Sequence, residues 1–167
     1  MKALAKYYSK GEKSSVAKAM EETWEVVGIL HDGDYEETKS TPELHTLKMV
    51  EWLEKDGIKD KEILEAILSH NFAHTEQNPP KNRLEWSLYC CDELTGLIVA
   101  VALVKPDKKL ASVTEDSILK KWKEKAFAAG VKRGQIEECE TRLEIPLREF
   151  IGIALTAMQN ISDELGL

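Results

Sequence analysis

The chain has 167 residues, 43% of them hydrophobic and 32% charged, with a formal net charge of −7. That length suits one well-buried domain, and the acidic balance argues against duplex nucleic acid, which needs a net basic face, while leaving room for a small anionic substrate. Three cysteines (Cys90, Cys91, Cys139) without CxxC spacing make no disulfide framework, so reduced thiols in a cytoplasmic protein are expected.

The N-terminus, MKALAKYYSKGEK, has no apolar signal core. A first segment from Met1 to about Tyr8 is followed by the polar break SKGEKSS. A helix from about Ser15 to Leu30 then delivers His31-Asp32 at its C-terminal end, where Gly33 lets the chain turn. Thr41-Pro42-Glu43 is a start signal, with a hydroxyl cap, a proline and then an acid; this helix is expected to run to about Asp56 and stop at Gly57. Asp60 caps the next, which reaches His70 and extends toward His74. The loop Asn71 to Lys81 contains Asn78-Pro79-Pro80 and cannot be helical throughout. A long apolar helix follows from about Asn82 to Val104. Its longest apolar run, Leu97 to Val104, is too short to span a bilayer, so no membrane is expected. Ser117 to Ala129 reads as an amphipathic helix closed by Gly130, Arg133 to about Leu143 as a short one, and Pro146 opens a last helix to about Leu165. Strand signals are nearly absent. The expectation is all-α: a single-domain helical bundle over residues 1–167.

All four histidines, His31, His45, His70 and His74, lie between positions 31 and 74, and an aspartate follows the first. Helical spacing aims three of them inward. Trp24, Val27 and Gly28 share the face of His31, Met49, Trp52 and Leu53 that of His45, and Ile63, Ala66 and Ile67 that of His70. Asp92 shares a face with Leu88, Tyr89, Gly96 and Val99. Burying an unpaired carboxylate is costly and an imidazole needs partners, so one shared metal centre satisfies all four segments at once. Histidine and carboxylate bind divalent metals, and such metals make water a nucleophile at neutral pH. His74 is an auxiliary ligand or a surface residue. Trp24, Trp52, Trp86 and Tyr89 fall on apolar stripes and read as core.

Three stretches, LHDGDYE (Leu30 to Glu36), CDELTGLIVAVALV (Cys91 to Val104) and KEKAFAAGVKR (Lys123 to Arg133), resemble the HD-domain metal-dependent phosphohydrolases, an all-α superfamily, and within it small bacterial hydrolases. The resemblance covers roughly residues 16–167, with His31-Asp32 matching the doublet, Asp92 the later aspartate, and His45 and His70 the extra histidines of two-metal members. It implies one or two divalent ions (Mn, Fe, Mg, Ni or Zn). Asp32 would bridge them, His31 and Asp92 would hold one, and His45 with His70 the other. The implied reaction is hydrolysis of a small phosphorylated molecule, such as a nucleotide, by metal-activated water.

The family's first metal-binding histidine precedes the doublet by about thirty residues, a count that arrives at Met1, and no histidine precedes His31. Either the chain starts inside the family's first helix or it has lost a ligand. The first reading leaves an apolar groove for another chain to cover, so a homodimer or a weakened first metal site is expected. The second makes the protein a non-catalytic HD-like module that binds metal or nucleotide. Asp34 is a candidate catalytic base, a group that orients a ligand, or a turn residue after Gly33. Lys120, Lys121, Lys125 and Arg133, with Lys123 and Lys132, form the only basic cluster: a solvated helix face or a substrate-binding phosphate rim.

Overall fold

Eleven α-helices and two 3-10 turns make up the computed structural model, which describes residues 1–167 and contains no strand. The all-α expectation holds. By contacts the chain divides into two compact units, Met1–Tyr89 and Cys90–Leu167. The division falls inside one continuous helix.

The first unit opens with α1 (Lys2–Tyr8) packed along α2 (Ser14–Leu30). The Tyr8 ring lies 5.8 Å from that of Trp24. Gly28 is needed at their crossing, because a Cβ there would stand 2.9 Å from the Cβ and Cγ of Met1. The short α3 (Tyr35–Thr38) and a 3-10 turn (Pro42–Leu44) lead into α4 (Leu47–Lys55) and α5 (Lys61–His70). Met49, Leu53, Leu64 and Ile67 from these last two helices form a buried cluster, with Leu30, Trp52 and Ile63 packed against it. Removing such side chains from water supplies roughly 1.5–3 kcal/mol each. Asp60 caps α5 by accepting the Glu62 amide. The separate helix α6 (Phe72–Thr75) carries His74.

One expected helix does not form as one piece. The start signal at Thr41-Pro42 opens only the 3-10 turn, and α4 begins at Leu47. His45 and Thr46 form a break between them, with Thr46 at a φ of 70°. A β-branched residue rarely adopts that region, and the strain is held by tertiary bonds described below.

Helix α7 (Arg83–Leu103) begins in the first unit and runs into the second. Asn82 starts it: its side chain accepts the Glu85 amide, while the buried Glu85 carboxylate accepts from Asn82 Nδ2 and the Lys81 amide. With 21 residues and a mean hydropathy of 1.4 it is long and apolar enough to cross a membrane, yet 56% of its apolar window is buried inside the protein, as in a core helix.

In the second unit, α8 (Glu115–Trp122) and α9 (Arg133–Arg142) pack against α10 (Leu147–Gln159), whose Phe150, Ile151, Ala154, Leu155 and Met158 make one buried stripe. A reciprocal Thr114–Ser117 cap starts α8 earlier than the apolar spacing suggests. Its end is earlier too, at Trp122 instead of Ala129, because the following segment turns back over the Arg133 guanidinium. The last helix likewise ends at Gln159, and α11 (Ser162–Leu165) is separate. Cys90, Cys91 and Cys139 are free and buried. Burial pushes all three thiols up, Cys139 to about 12, so they are poor nucleophiles and poor metal ligands.

Candidate metal centre

Helix α2 ends at Leu30, and His31 caps it by donating its amide to Val27. The turn that follows carries Asp32, Gly33 and Asp34. Gly33 serves a close approach here, since a Cβ would stand 2.7 Å from Met49 Sδ. The turn thereby lies against α4, and its two acids point to different tasks.

Asp34 is fully buried. One carboxylate oxygen accepts from His45 Nδ1 at 2.7 Å, and the other accepts the amides of Thr46 at 2.8 Å and Met49 at 3.1 Å. It therefore caps α4 from eleven or more residues upstream and holds the His45–Thr46 break open. The reading of Asp34 as a catalytic base is corrected: both oxygens are occupied and no water can reach them. It is a positioning residue for His45.

Asp32 faces the histidines. Its Oδ1 lies 3.3 Å from His45 Nε2 and 3.3 Å from His70 Nε2, and its Oδ2 lies 3.6 Å from His31 Nε2. The rings pack edge to face, His31 on His70 at 4.8 Å and His45 on His70 at 5.4 Å between centroids. The Asp32 side chain is 46% exposed whereas the three imidazoles are 8–18% exposed, so the cluster opens to solvent on the carboxylate side.

Two of the tautomers follow from partner chemistry. His31 Nδ1 lies 2.9 Å from the Gly28 carbonyl, which can only accept, so this nitrogen carries the proton. His45 Nδ1 likewise donates to Asp34. In both rings the neutral form presents a bare Nε2 lone pair toward Asp32, the arrangement that second partners impose on metal-binding histidines. His70 Nδ1 is buried without a hydrogen-bond partner, so nothing comparable fixes that ring's tautomer.

The spacing distinguishes an ion site from a hydrogen-bonded knot. Charge-assisted N–H···O bonds run at about 2.7–2.9 Å. Two ligands each about 2.1 Å from a common ion stand about 3.4 Å apart at a tetrahedral angle. The observed 3.3, 3.3 and 3.6 Å match the second figure. One ligand atom from each of His31, Asp32 and His70 lies within 4.8 Å of the other two, and Asp92 lies on α7 in the second unit. The residues present thus fit a divalent ion, with imidazole and carboxylate donors suited to Mn, Fe, Ni or Zn.

In the absence of an ion, burial opposes ionisation of Asp32, but the neighbouring imidazoles of His45, His70 and His31 hold its carboxyl well below the usual carboxylate range. Burial would lower the His45 imidazole, yet the neighbouring carboxylates of Asp32 and Asp34 raise it.

The remaining sequence expectations fall elsewhere. His74 is exposed on α6 and is absent from the gathered ligand atoms. The Arg133 guanidinium donates to the carbonyls of Trp122 at 3.0 Å and Phe127 at 2.7 Å, a structural use of the group. Lys121 pairs with Glu124 and covers the Phe127 ring, while Lys120 and Lys125 are solvated. Sequence reasoning missed the Gly28 carbonyl and the Thr46 and Met49 amides, since backbone groups carry no residue signature. It also missed Asn71, whose side-chain amide ties the carbonyls of Pro42 and His45. Comparison with protein-family models, with curated proteins and with solved structures returns no match.

Proposed function

We propose that this protein is a metal-dependent hydrolase of a small phosphorylated molecule, in the manner of the HD-domain phosphohydrolases that its sequence resembles. The observation that carries the reading is the gathering of three imidazole Nε2 atoms around Asp32 at 3.3–3.6 Å, with His31 and His45 each held in the ligating tautomer. A divalent ion there would lower the pKa of water and offset negative charge developing on a phosphoryl group. Asp32 is the residue to serve two ions, since its Oδ1 faces His45 and His70 and its Oδ2 faces His31. The family resemblance assigns His31 and Asp92 to one ligand set, and His45 with His70 to the other. Asp34 orients His45 and keeps its Nδ1 protonated. The exposed side of Asp32 is where substrate and water enter. A cytoplasmic location suits the three reduced cysteines.

The test is elemental analysis of the purified protein beside phosphate release with added Mn²⁺, Mg²⁺ or Fe²⁺. Bound metal with turnover, both lost in Asp32→Ala, is the expected result. Metal without turnover would make the chain a binding module, and absence of both would overturn the reading.

A further inference from the structure

Two of the candidate ligands share one oxygen. His45 Nε2 and His70 Nε2 each lie 3.3 Å from Asp32 Oδ1, and the two rings meet edge to face at 5.4 Å between centroids. They reach that point from unlike supports. His70 is the last residue of the ten-residue helix α5, whereas His45 stands after a three-residue 3-10 turn and before the start of α4. A ligand outside regular helix has fewer backbone bonds to hold it, and an ion site works only when each ligand is kept in place by the groups behind it.

Asn71 supplies a tie between the two supports. It follows His70 directly, stands between α5 and α6, and is only 3% exposed. Its backbone carbonyl accepts the amides of His74 and Thr75, both at 3.1 Å, so its own position is set by α6. Its side-chain Nδ2 carries two hydrogens and donates to two carbonyls of the 3-10 turn, that of Pro42 at 2.8 Å and that of His45 at 3.1 Å. The Pro42 carbonyl also accepts the His45 amide at 3.2 Å, so the turn is bracketed at both ends. Asp34 meanwhile holds His45 by its ring and Thr46 by its amide. His45 is thus fastened on one side from the turn that carries Asp32, and on the other from the residue after His70. A side chain needed only to end α5 would have no reason to reach 26 residues back to the carbonyl of a candidate ligand.

We propose that Asn71 is a positioning residue for the ion site: it locks His45 to the chain segment of His70, so that the two imidazoles face Asp32 Oδ1 as one pre-set pair. Its consequence for affinity rests on the metal reading, but the restraint on His45 exists without an ion. When the two donors are removed, the turn loosens, and His45 must be ordered again each time an ion binds. That ordering weakens binding without removing a ligand.

The experiment compares the full native chain with Asn71→Leu, which removes both donors at similar volume, and Asn71→Ser, whose one hydroxyl serves at most one carbonyl. The first readout is NMR of the imidazole N–H groups in EDTA. The His45 Nδ1 proton, sheltered against Asp34, should exchange with water much faster in both variants than in the native chain, while the His31 Nδ1 proton on the Gly28 carbonyl keeps its rate. The second is titration with Co²⁺, followed by its visible absorption, with circular dichroism as the folding control. Asn71→Leu should bind Co²⁺ about 10–100-fold more weakly. Placed on His45→Ala, the same substitution should cause no further loss, whereas placed on His31→Ala it should still weaken binding. If Asn71→Leu does not fold, Asn71→Ser decides by the same two readouts. A full further loss on His45→Ala would mean that Asn71 acts through the fold at large, and it overturns the proposal. Unchanged His45 exchange overturns it too, as does unchanged Co²⁺ affinity, and both leave the metal reading intact. Conversely, a native chain that binds no Co²⁺ but shows the expected exchange loses the metal reading and keeps the restraint on His45.

Discussion

The buried carboxylate of Asp34 sits 2.7 Å from His45 Nδ1, and its second oxygen holds the amides of Thr46 and Met49. One side chain thus breaks the helix before α4, caps it, and sets the tautomer of a candidate ligand. Asn in its place has one acceptor and one donor, so it cannot serve both edges. If its oxygen faces the two amides, its NH₂ meets His45 Nδ1 and forces the proton onto Nε2. Asp34→Asn should therefore lower metal affinity by about 10–100-fold and fold stability by roughly 1.5–3 kcal/mol. Calorimetric metal titration and urea unfolding check the two effects separately. Unchanged affinity with lowered stability would leave Asp34 as a helix cap alone.

Asp32 and His74 offer a ranking. Asp32 stands among three imidazoles, whereas His74 lies on α6 apart from the gathered atoms. Asp32→Ala should strip metal nearly completely, and His74→Ala should retain most of it. Elemental analysis of the two variants beside the parent decides, and equal losses would refute the assignment.

Much of this arrangement is legible in the sequence because it is local. The end of α2 at Leu30, the Asp60 cap and the inward phase of His70 follow from spacing and end signals within a turn or two. His45 shows where that logic stops. Its spacing matches Met49, Trp52 and Leu53, as if on one helix, but it stands in a break held by Asp34, eleven residues earlier. The same holds for α8, which the apolar pattern carries on to Ala129. A guanidinium contributed by Arg133 satisfies the carbonyls that a continued helix would have bonded. Side chains that cap or clasp distant backbone leave no mark on periodicity.

Protonation should act in opposite directions on the metal-free fold and on metal binding. The Asp32 carboxyl is held below its usual range, so its contribution is present above the unfolded value of about 3.9 and is lost as pH falls through the folded one. His45 is raised, so its contribution is full below about 6.5 and is lost as pH rises through its higher folded value. The metal-free protein should accordingly lose stability on going from about pH 6 to pH 8. An ion needs the same imidazole deprotonated, so its affinity should climb over that interval. Thermal melts in EDTA and in Mn²⁺ check this: the melting temperature falls with pH in the first and the metal-induced increment grows in the second. Parallel trends would mean that His45 is not a ligand.

Gly28 joins the N-terminal helix to the site. Its carbonyl accepts from His31 Nδ1 at 2.9 Å, and its bare Cα lets Met1 lie against α2. Gly28→Ala would place a Cβ 2.9 Å from the Cβ and Cγ of Met1, close to that residue's backbone, where little can give. Overpacking of this kind costs about 1–3 kcal/mol. Amide hydrogen exchange should show α1 opening while α5 keeps its protection. Unaltered protection of α1 would mean that the crossing is looser than this geometry.

Arg133 separates a structural role from a substrate role. Its Nε donates to the Trp122 carbonyl at 3.0 Å, and one terminal nitrogen donates to Phe127 at 2.7 Å with longer approaches to Lys121 and Glu124. These carbonyls belong to the end of α8 and the turns after it, so the guanidinium serves as a C-terminal cap for a helix that has no glycine there. Arg133→Leu keeps the aliphatic bulk but leaves those carbonyls without a donor, at about 1–3 kcal/mol for each one that stays buried. The turn segment should then open locally. Lys123 and Lys125 lie within it, exposed, and trypsin cleaves after lysine, so the variant should be nicked there far faster than the parent. Mass spectrometry of the fragments locates the cuts, and any phosphatase activity gives the contrast: a cap leaves KM unchanged, whereas a phosphate-binding arginine raises it. Tryptic resistance equal to the parent, with a raised KM, would restore the rim that the basic cluster first suggested.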